Sequence, residues 1–493
     1  MPEPGPVAEQ ELLAGYPPVR PIPPEDIRPT ADEVLVVLDD DPTGTQPVAR
    51  VPVLTRWREE DLAWALDDRA ERPHAVYVLT NSRSLPAAQA MARTREVDAA
   101  ASAAATRSGV RPVFVSRSDS TLRGHFPAET DALVAGLAEQ GAAVDGVLMV
   151  PAFPDAGRVT IGGVHYLRQP AADPQTGPLL VPVNDTEFAR DATFGYGTAD
   201  LPGYVQEKTA GRIRAEQVLR VDLRVLRSGT EAVREVLAAV TGGTVVVADA
   251  VAEDDLRALA LGLAAAEAHG RRFVYRVGPS FVRARIGQAQ PQPLTTAALR
   301  AARAMGTTGV PPAAGGLVVV GSHVDLTTRQ LAHLQATRPD LPAIEIEAPA
   351  VLSEDSRAEH LQAVVQRVLT GLAAGDVLVH TSRTLVRGRD AEDSLAQARS
   401  VSAAVVQVVR AVIEQVRPAF VVAKGGITSS DVATAGLGIH RAEVLGPMLP
   451  GLVSAWAAVE GPAAGLPYVV FAGNVGAQDS LTEVVRRLDE ATD

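Results

Sequence analysis

The feature that most constrains this chain is the run Val34-Leu35-Val36-Val37-Leu38, which stops at Asp39-Asp40-Asp41-Pro42-Thr43-Gly44-Thr45-Gln46. Five aliphatic residues in succession leave no polar face, so the run predicts a strand buried on both sides. Such a strand belongs in a parallel sheet covered by helices, and ligands of open α/β sheets bind beyond the carboxyl ends of the strands. There the sequence places three carboxylates beside hydroxyl groups. Such a group suits proton abstraction, Mg2+ coordination through water, or hydrogen bonding to a polyhydroxylated ligand. It also suits an acidic turn whose Asp and Thr side chains cap backbone N–H groups. Taken alone, the stretch leaves both readings open.

The pattern recurs along the chain. After a short strand candidate at Val51-Pro52-Val53-Leu54 and a helix over Glu59 to Arg69, apolar runs at 75–79, 112–115 and 146–150 each end in a polar loop, with a long Ala-rich helix over 87–108. Those loops read Thr80-Asn81-Ser82-Arg83-Ser84, Ser116-Arg117-Ser118-Asp119-Ser120-Thr121-Leu122-Arg123-Gly124 and Pro151 to Arg158. Strands are also expected at 218–221, 244–250 and 273–277. A second series follows at 316–320, 343–346, 376–380, 419–423 and 468–472, with helices between them. Strands alternating with helices imply parallel sheets whose terminal loops gather at one edge. The expected fold is α/β: two domains, each a mainly parallel sheet flanked by helices, with the active-site cleft between them.

A length of 493 residues also favours two cores over one. The expected boundaries are a proline-rich arm at 1–30, a first domain at 31–287, a crossing at 288–316 and a second domain at 317–493. The arm holds nine prolines and should be extended, wrapping a surface or lying loose. From about Arg168 to Arg212 periodicity fails, and loops this long are more often functional covers than accidents. The net charge of -13 argues against non-specific nucleic-acid binding. The absence of cysteine excludes disulfides, thiol nucleophiles and Cys-ligated metals. With no signal-peptide pattern and no apolar run of membrane-spanning length, the expectation is a cytoplasmic protein without a membrane partner.

Two sets of loops carry chemistry. In the second half, Lys424-Gly425-Gly426-Ile427-Thr428-Ser429-Ser430-Asp431 follows a strand and opens a helix. Glycines admit a phosphate close to backbone N–H groups, and hydroxyls add donors. Similar loops at Gly321-Ser322 and Gly473-Asn474 strengthen the phosphate reading over a plain capped turn. No Walker A, GxGxxG or GxSxG pattern occurs. In the first half Arg83, Arg123 and Arg158 each follow a strand closely, and three Arg opposite the Asp cluster would hold a small hydroxylated acid. Each singly could instead be an ordinary surface ion pair. Calcium is set aside, since Arg50 stands where an EF-hand needs its Glu. His125, His165 and His323 read as polar contacts, and no metal ligand is assigned. An acid site in one domain and a phosphate cradle in the other point to phosphoryl transfer.

Asp40-Asp41-Pro42-Thr43-Gly44, Ser82-Arg83-Ser84-Leu85, Asp119 to Gly124, Pro151 to Arg158 and Lys424 to Ser429 together resemble the successive motifs of the four-carbon acid sugar kinases, in order from about residue 33 to 487. The resemblance implies an N-terminal sugar-acid domain, a C-terminal ATP domain, and Mg2+-ATP-dependent phosphorylation of the terminal hydroxyl of threonate, erythronate or a 3-oxo-tetronate. It implies Asp40 or Asp41 as catalytic base, with Thr43, Arg83, Asp119, Arg123 and Arg158 around the substrate. Ser322, Gly425, Gly426, Ile427, Thr428, Ser429 and Gly473 would contact ATP. Asp39 is then the carboxylate left over for capping. Arg117 stands where many relatives carry Lys, and the segment containing Asp191 to Lys208 enlarges the chain. Both bear on the choice of acid. A kinase for a glycerate-like acid and a non-catalytic acid-binding regulator are the rival readings, and homodimerisation is left open.

Overall fold

A computed structural model of the chain describes residues 6–30, 32–66, 74–169, 177–304, 306, 309–383 and 391–492. The chain packs as two compact units, the first comprising Met1–Pro47 and Trp57–Gln290, the second Val48–Arg56 and Pro291–Asp493.

In the first unit the apolar runs form a parallel sheet in the order Leu219–Val221, Thr244–Ala248, Gly146–Val150, Phe273–Val277, Arg111–Arg117, Glu33–Asp39, Ala75–Leu79. Every residue of Glu33–Asp39 is buried, as a strand with helices on both faces should be. The chain leaves this strand for Ala75–Leu79 on one side and returns to Arg111–Arg117 on the other. Strand order therefore reverses at Glu33–Asp39, and the loops after it and after Arg111–Arg117 diverge, the arrangement that opens a binding crevice.

The stretch expected to lack periodicity is more ordered than the sequence suggests. Arg158–Ile161, Val164–Gln169 and Leu179–Pro182 form an antiparallel sheet, joined at its edge by Val7–Ala8. Residues 170–176, including Pro170 and Pro174, lie outside the described residues. A helix, Leu201–Lys208, follows, with Asp200 accepting from Gly203 N at 2.9 Å. An N-cap Asp just before a Leu-Pro pair is a helix-start signal that the broken periodicity concealed. The described part of the arm lies along this unit. Glu9 pairs with Arg168, Ile22 N donates to Asp254 at 3.1 Å, and Arg227 donates to Pro17 O at 2.6 Å.

The second unit also differs from a purely parallel expectation. Ala343–Ile346, Val377–Thr381, Leu317–Val320, Val421–Lys424 and Pro467–Phe471 are parallel neighbours. Beyond Pro467–Phe471 the sheet continues antiparallel through Leu452–Ala458 and Arg441–Leu449 to Pro52–Leu54. The hairpin turns at Pro450-Gly451, a turn dipeptide in plain view between two alternating stretches. The strand at Pro52–Leu54 thus packs with the second unit, although its sequence lies inside the first. The expected crossing at 288–316 includes a helix, Thr296–Ala304, whose Leu299 and Ala302 are buried. The helix proposed over Glu59 to Arg69 is seen at Glu59–Leu66, and 67–73 lie outside the described residues.

Candidate active site

The parallel register that builds the first sheet sets Asp39 beside Arg117. Both side chains are buried, and Arg117 Nε donates to Asp39 Oδ1. From this position Arg117 Nη2 also reaches Asp40 Oδ1 at 2.8 Å and Asp41 Oδ1 at 3.0 Å. Arg83 approaches the cluster from the loop after the neighbouring strand. Its Nε and Nη2 grip Asp40 at 3.0 and 2.7 Å, and its Nη1 meets Asp41 Oδ2 at 2.6 Å.

Three buried carboxylates therefore share two guanidiniums, which leaves one negative charge in excess. Burial, with Asp41 and Asp40 beside it, pushes the Asp39 carboxyl up to about 8 despite the opposing pull of Arg117. A proton on Asp39 balances the cluster. Burial also pushes Asp41 upward, but Arg83, Arg117 and the hydrogen bonds from Thr43 overrule it and hold Asp41 down to about 2.

The capping role falls on Asp41, not on Asp39 as expected. Asp41 Oδ1 accepts from Thr43 N at 2.9 Å and from Thr43 Oγ1, opening the turn Pro42–Thr45. The proton of the Thr43 hydroxyl is thereby committed to Asp41, and only its oxygen remains to accept from a ligand. Gly44 is required by close approach. A Cβ there would lie 2.1 Å from Asp39 Oδ1 and 2.5 Å from Arg117 Nε. Gly44→Ala should therefore destabilise the first unit by about 3 kcal/mol or more, because a buried ion pair must separate to admit the methyl group. A thermal midpoint unchanged from wild type would refute that packing argument.

The loop after Arg111–Arg117 supplies the second group. Asp119 accepts from Arg123 Nε at 2.5 Å and from Thr121 Oγ1. Although burial raises it, Arg123 and Arg83 hold Asp119 well below the usual carboxylate range. His165 binds this loop to the antiparallel sheet, with its ring nitrogens 2.8 Å from Ser120 O and 2.9 Å from Thr160 Oγ1, and burial pushes it down to about 4. His125 contacts the carbonyls of Ser82 and Leu85 at 3.1 and 2.9 Å. Both are polar contacts, as the sequence reading expects.

Arg158 stands apart from the other arginines. It is 8% exposed, its Nη1 donates to Ala156 O, and its Nε has no hydrogen-bond partner. Among the described residues no carboxylate lies within ion-pair range of it. Burial lowers its pKa, with Asp119 near enough to oppose the shift. Arg83 and Arg123, by contrast, are engaged by carboxylates of the cluster. Arg117, which among the described residues is the one cation touching all three aspartates, is not among the site residues that the sequence motifs imply. Its sequence signals are a charge at the end of an apolar strand and its place where many relatives of the family carry Lys.

In the second unit the three glycine loops come together. A Cβ on Gly321 would lie 2.4 Å from Thr428 Oγ1, one on Gly425 2.9 Å from the same atom, and one on Gly473 2.8 Å from Ser322 Oγ. Gly321 N and Ser322 N each donate to Lys424 O at 3.3 Å, and Gly425 N to Phe471 O at 2.8 Å. Ile427 is 60% exposed at the loop's crest. Ser429 must be corrected as a phosphate donor: its hydroxyl donates to Ala423 O at 2.7 Å and its N–H to Gly425 O at 2.8 Å. The helix expected after the loop is short, Gly426–Asp431, and continues as a π-helical turn, Val432–Gly436. Lys424 is fully buried, with Nζ 2.6 Å from Ala472 O and 3.8 Å from the centre of the Phe471 ring, and burial pushes it well below the usual lysine range.

Among the described residues no helix is long and apolar enough to cross a membrane. A family model described as a sugar-binding N-terminal domain matches residues 35–285, and one described as a nucleotide-binding C-terminal domain matches 317–481. The chain is 29% identical to a D-erythronate kinase of Heliobacterium modesticaldum over 237 residues, 46% of this chain and 47% of that one, so the match spans about half of that relative's length. It is 29% identical to a D-threonate kinase of Bordetella bronchiseptica over 471 residues, 92% of this chain and 97% of that one. A crystal structure from Salmonella typhimurium LT2, provisionally described as a tRNA synthase, shares the fold with a TM-score of 0.62 at 19% identity, covering 92% of this chain and 98% of that one. With both domain models matched in order, the chain belongs to the four-carbon acid sugar kinase family, phosphotransferases that act on an alcohol group.

Proposed function

We propose that the chain is an ATP-dependent kinase for the terminal hydroxyl of a four-carbon sugar acid such as threonate, erythronate or a 3-oxo-tetronate, acting in the cytoplasm, where ATP is supplied. The observation that carries this reading is Arg158, a buried guanidinium with no carboxylate partner among the described residues. A buried cation calls for an anion. With Asp39 protonated, the guanidiniums of Arg83, Arg117 and Arg123 are matched by neighbouring aspartates, Asp191 lying 3.6 Å from Arg123 Nη1, and Arg158 is left as the unpaired cation that suits a monoanion. The acid's carboxylate then belongs with Arg158 and Arg123, and its hydroxyls with Asp119, Asp41 and the Thr43 oxygen.

Of the two candidate bases, Asp41 is the better placed. The Asp40 side chain is 2% exposed and gripped on both oxygens by Arg83, whereas that of Asp41 is 12% exposed. A carboxylate held at about 2 accepts a proton only late in the reaction, when the hydroxyl oxygen has begun to bond to phosphorus. The loose transition states of phosphoryl transfer permit that order.

Ser322, Gly425, Gly426, Thr428 and Gly473 would cradle the phosphates of ATP, and Ile427 offers an apolar face to its base. Mg2+, bound with the phosphates of ATP, would supply neutralisation of their charge. Such an ion is held mainly by phosphate, water and one or two carboxylates, so no caged site is required of the chain. Gly425 has φ +130, and a Cβ there would also meet Ser322 Cβ at 3.0 Å. Gly425→Ala should raise the KM for ATP about tenfold or more while leaving acid binding within twofold of wild type. An equal loss of both affinities would remove this loop from the nucleotide site.

The kinase reading is tested by coupled ADP release over a panel of three- to six-carbon sugar acids. Turnover with a four-carbon acid is the expected result. Preference for glycerate would move the enzyme to a smaller substrate, and an acid that binds without stimulating ATP consumption would leave a non-catalytic binding protein.

A further inference from the structure

We infer that Asp191 is a specificity-determining residue, a carboxylate built into the cover segment that opposes the substrate's own carboxylate at Arg123. The inference rests on the proposed acid site and adds a control over which acids that site retains.

Residues 183–208 pack against the motif loop rather than lying clear of it. Tyr196 Oη donates to Thr121 O at 2.7 Å, and Tyr204 Oη donates to Leu122 O at 2.7 Å. Phe194 meets the His125 ring edge-on at 4.9 Å between centroids. Leu122 has φ +68, a left-handed conformation that a leucine adopts only when its surroundings impose it. The cover therefore fixes the loop that presents Arg123.

It also surrounds Arg123 itself. One face of the guanidinium lies 5.1 Å from the centre of the Phe188 ring, and its Nε is on Asp119 at 2.5 Å. Its Nη1 lies 3.6 Å from Asp191 Oδ2, too long for a hydrogen bond and short enough for strong electrostatic coupling. Asp191 is not placed there by the arginine. Its Oδ1 accepts from Thr193 N at 2.9 Å and Phe194 N at 3.0 Å, so its own turn sets its position. Both side chains are partly open to solvent, 22% for Arg123 and 27% for Asp191. The Nη edge of Arg123 that an incoming carboxylate must use thus already faces a fixed negative charge. Asp191 weakens the hold on every anionic ligand, and most on those whose carboxylate reaches furthest toward it.

Asp191→Asn is the informative variant, because the amide oxygen keeps both turn hydrogen bonds while the charge is removed. Asp191→Ser, which also keeps an acceptor for the turn, provides a second uncharged side chain. Both should lower the dissociation constant and KM for threonate or erythronate about three- to tenfold, with kcat, the KM for ATP and the thermal midpoint unchanged. The neutral amide of the same acid should gain nothing. A KM for the acid that rises or stays the same in both variants overturns the inference, as does an equal gain for the neutral amide. Turnover and binding separate the two proposals. Acid that binds more tightly to the variants without being phosphorylated by wild type refutes the kinase reading and upholds the role of Asp191. Wild type that binds none of these acids refutes both.

Discussion

Asp41→Asn should lower kcat by about 10^2- to 10^4-fold, the range expected when a positioned base is lost, while the KM for ATP stays near wild type and the thermal midpoint falls by less than in Asp40→Asn. Asp40→Asn should do the reverse, with a stability loss of about 3 kcal/mol as its first effect. The two aspartates are adjacent in sequence and look interchangeable there, yet their surroundings differ. Asp40 accepts from Arg83 on both oxygens and from Arg117 on one, with a 2% exposed side chain. Neutralising it leaves two buried guanidiniums with one fewer counter-charge. Asp41 is more open, and its hydrogen bonds from Thr43 N and Thr43 Oγ1 fall on Oδ1, which Asn retains. The substitution therefore keeps the turn and removes the proton acceptor, at the cost of the ion pair between Oδ2 and Arg83. Steady-state kinetics paired with thermal unfolding on both variants checks the division. If Asp41→Asn loses stability as heavily as activity, the residue is structural, and the search for the base moves to Asp119.

Much of this site could be read before any coordinates, and the limits of that reading have a physical cause. The strand Glu33–Asp39 was legible because a buried parallel strand must be apolar throughout, and the polar residues beyond it mark where burial ends. The convergence of the Gly321, Gly425 and Gly473 loops was legible for the same reason, since parallel strands end at one edge. The assignment of the capping role was not. Whether Asp39 or Asp41 caps the turn depends on which of them faces Arg117 across the sheet, and register is a property of two distant segments. The pairing of Pro52–Leu54 with Arg441–Leu449 is of the same kind: nothing local tells a three-residue strand that its partner lies near the other end of the chain. Other misses did have local signals. Asp200 before Leu201-Pro202 announces a helix and Pro450-Gly451 a hairpin, but both sit where apolar periodicity is weak.

Arg117→Met should be the most damaging single change in the first unit, and its damage should depend on pH. Methionine replaces much of the arginine's volume, so the loss is chiefly one of charge. Without that guanidinium three buried carboxylates are left with Arg83 alone, and breaking a buried network by removing one partner costs about 3–5 kcal/mol. The sign follows from linkage. A carboxylate whose folded pKa lies above its unfolded value adds stability as pH falls through the folded value, whereas one held below it adds stability that is lost at low pH. In wild type Asp39, up at about 8, is of the first kind and Asp41, down at about 2, is of the second. Removing Arg117 takes away a force that lowers both, so Asp41 moves toward the first kind and Asp39 further into it. The variant's thermal midpoint should therefore climb on going from pH 8 to pH 5 by more than that of wild type, recovering a substantial part of the deficit. Wild type should instead lose the stability that Asp41 contributes progressively as pH falls from about 4, the unfolded carboxylate value, to about 2. A deficit of the same size at pH 8 and pH 5 would mean that Arg117 matters for its packing alone, and that the charge balance assigned to the three aspartates is wrong.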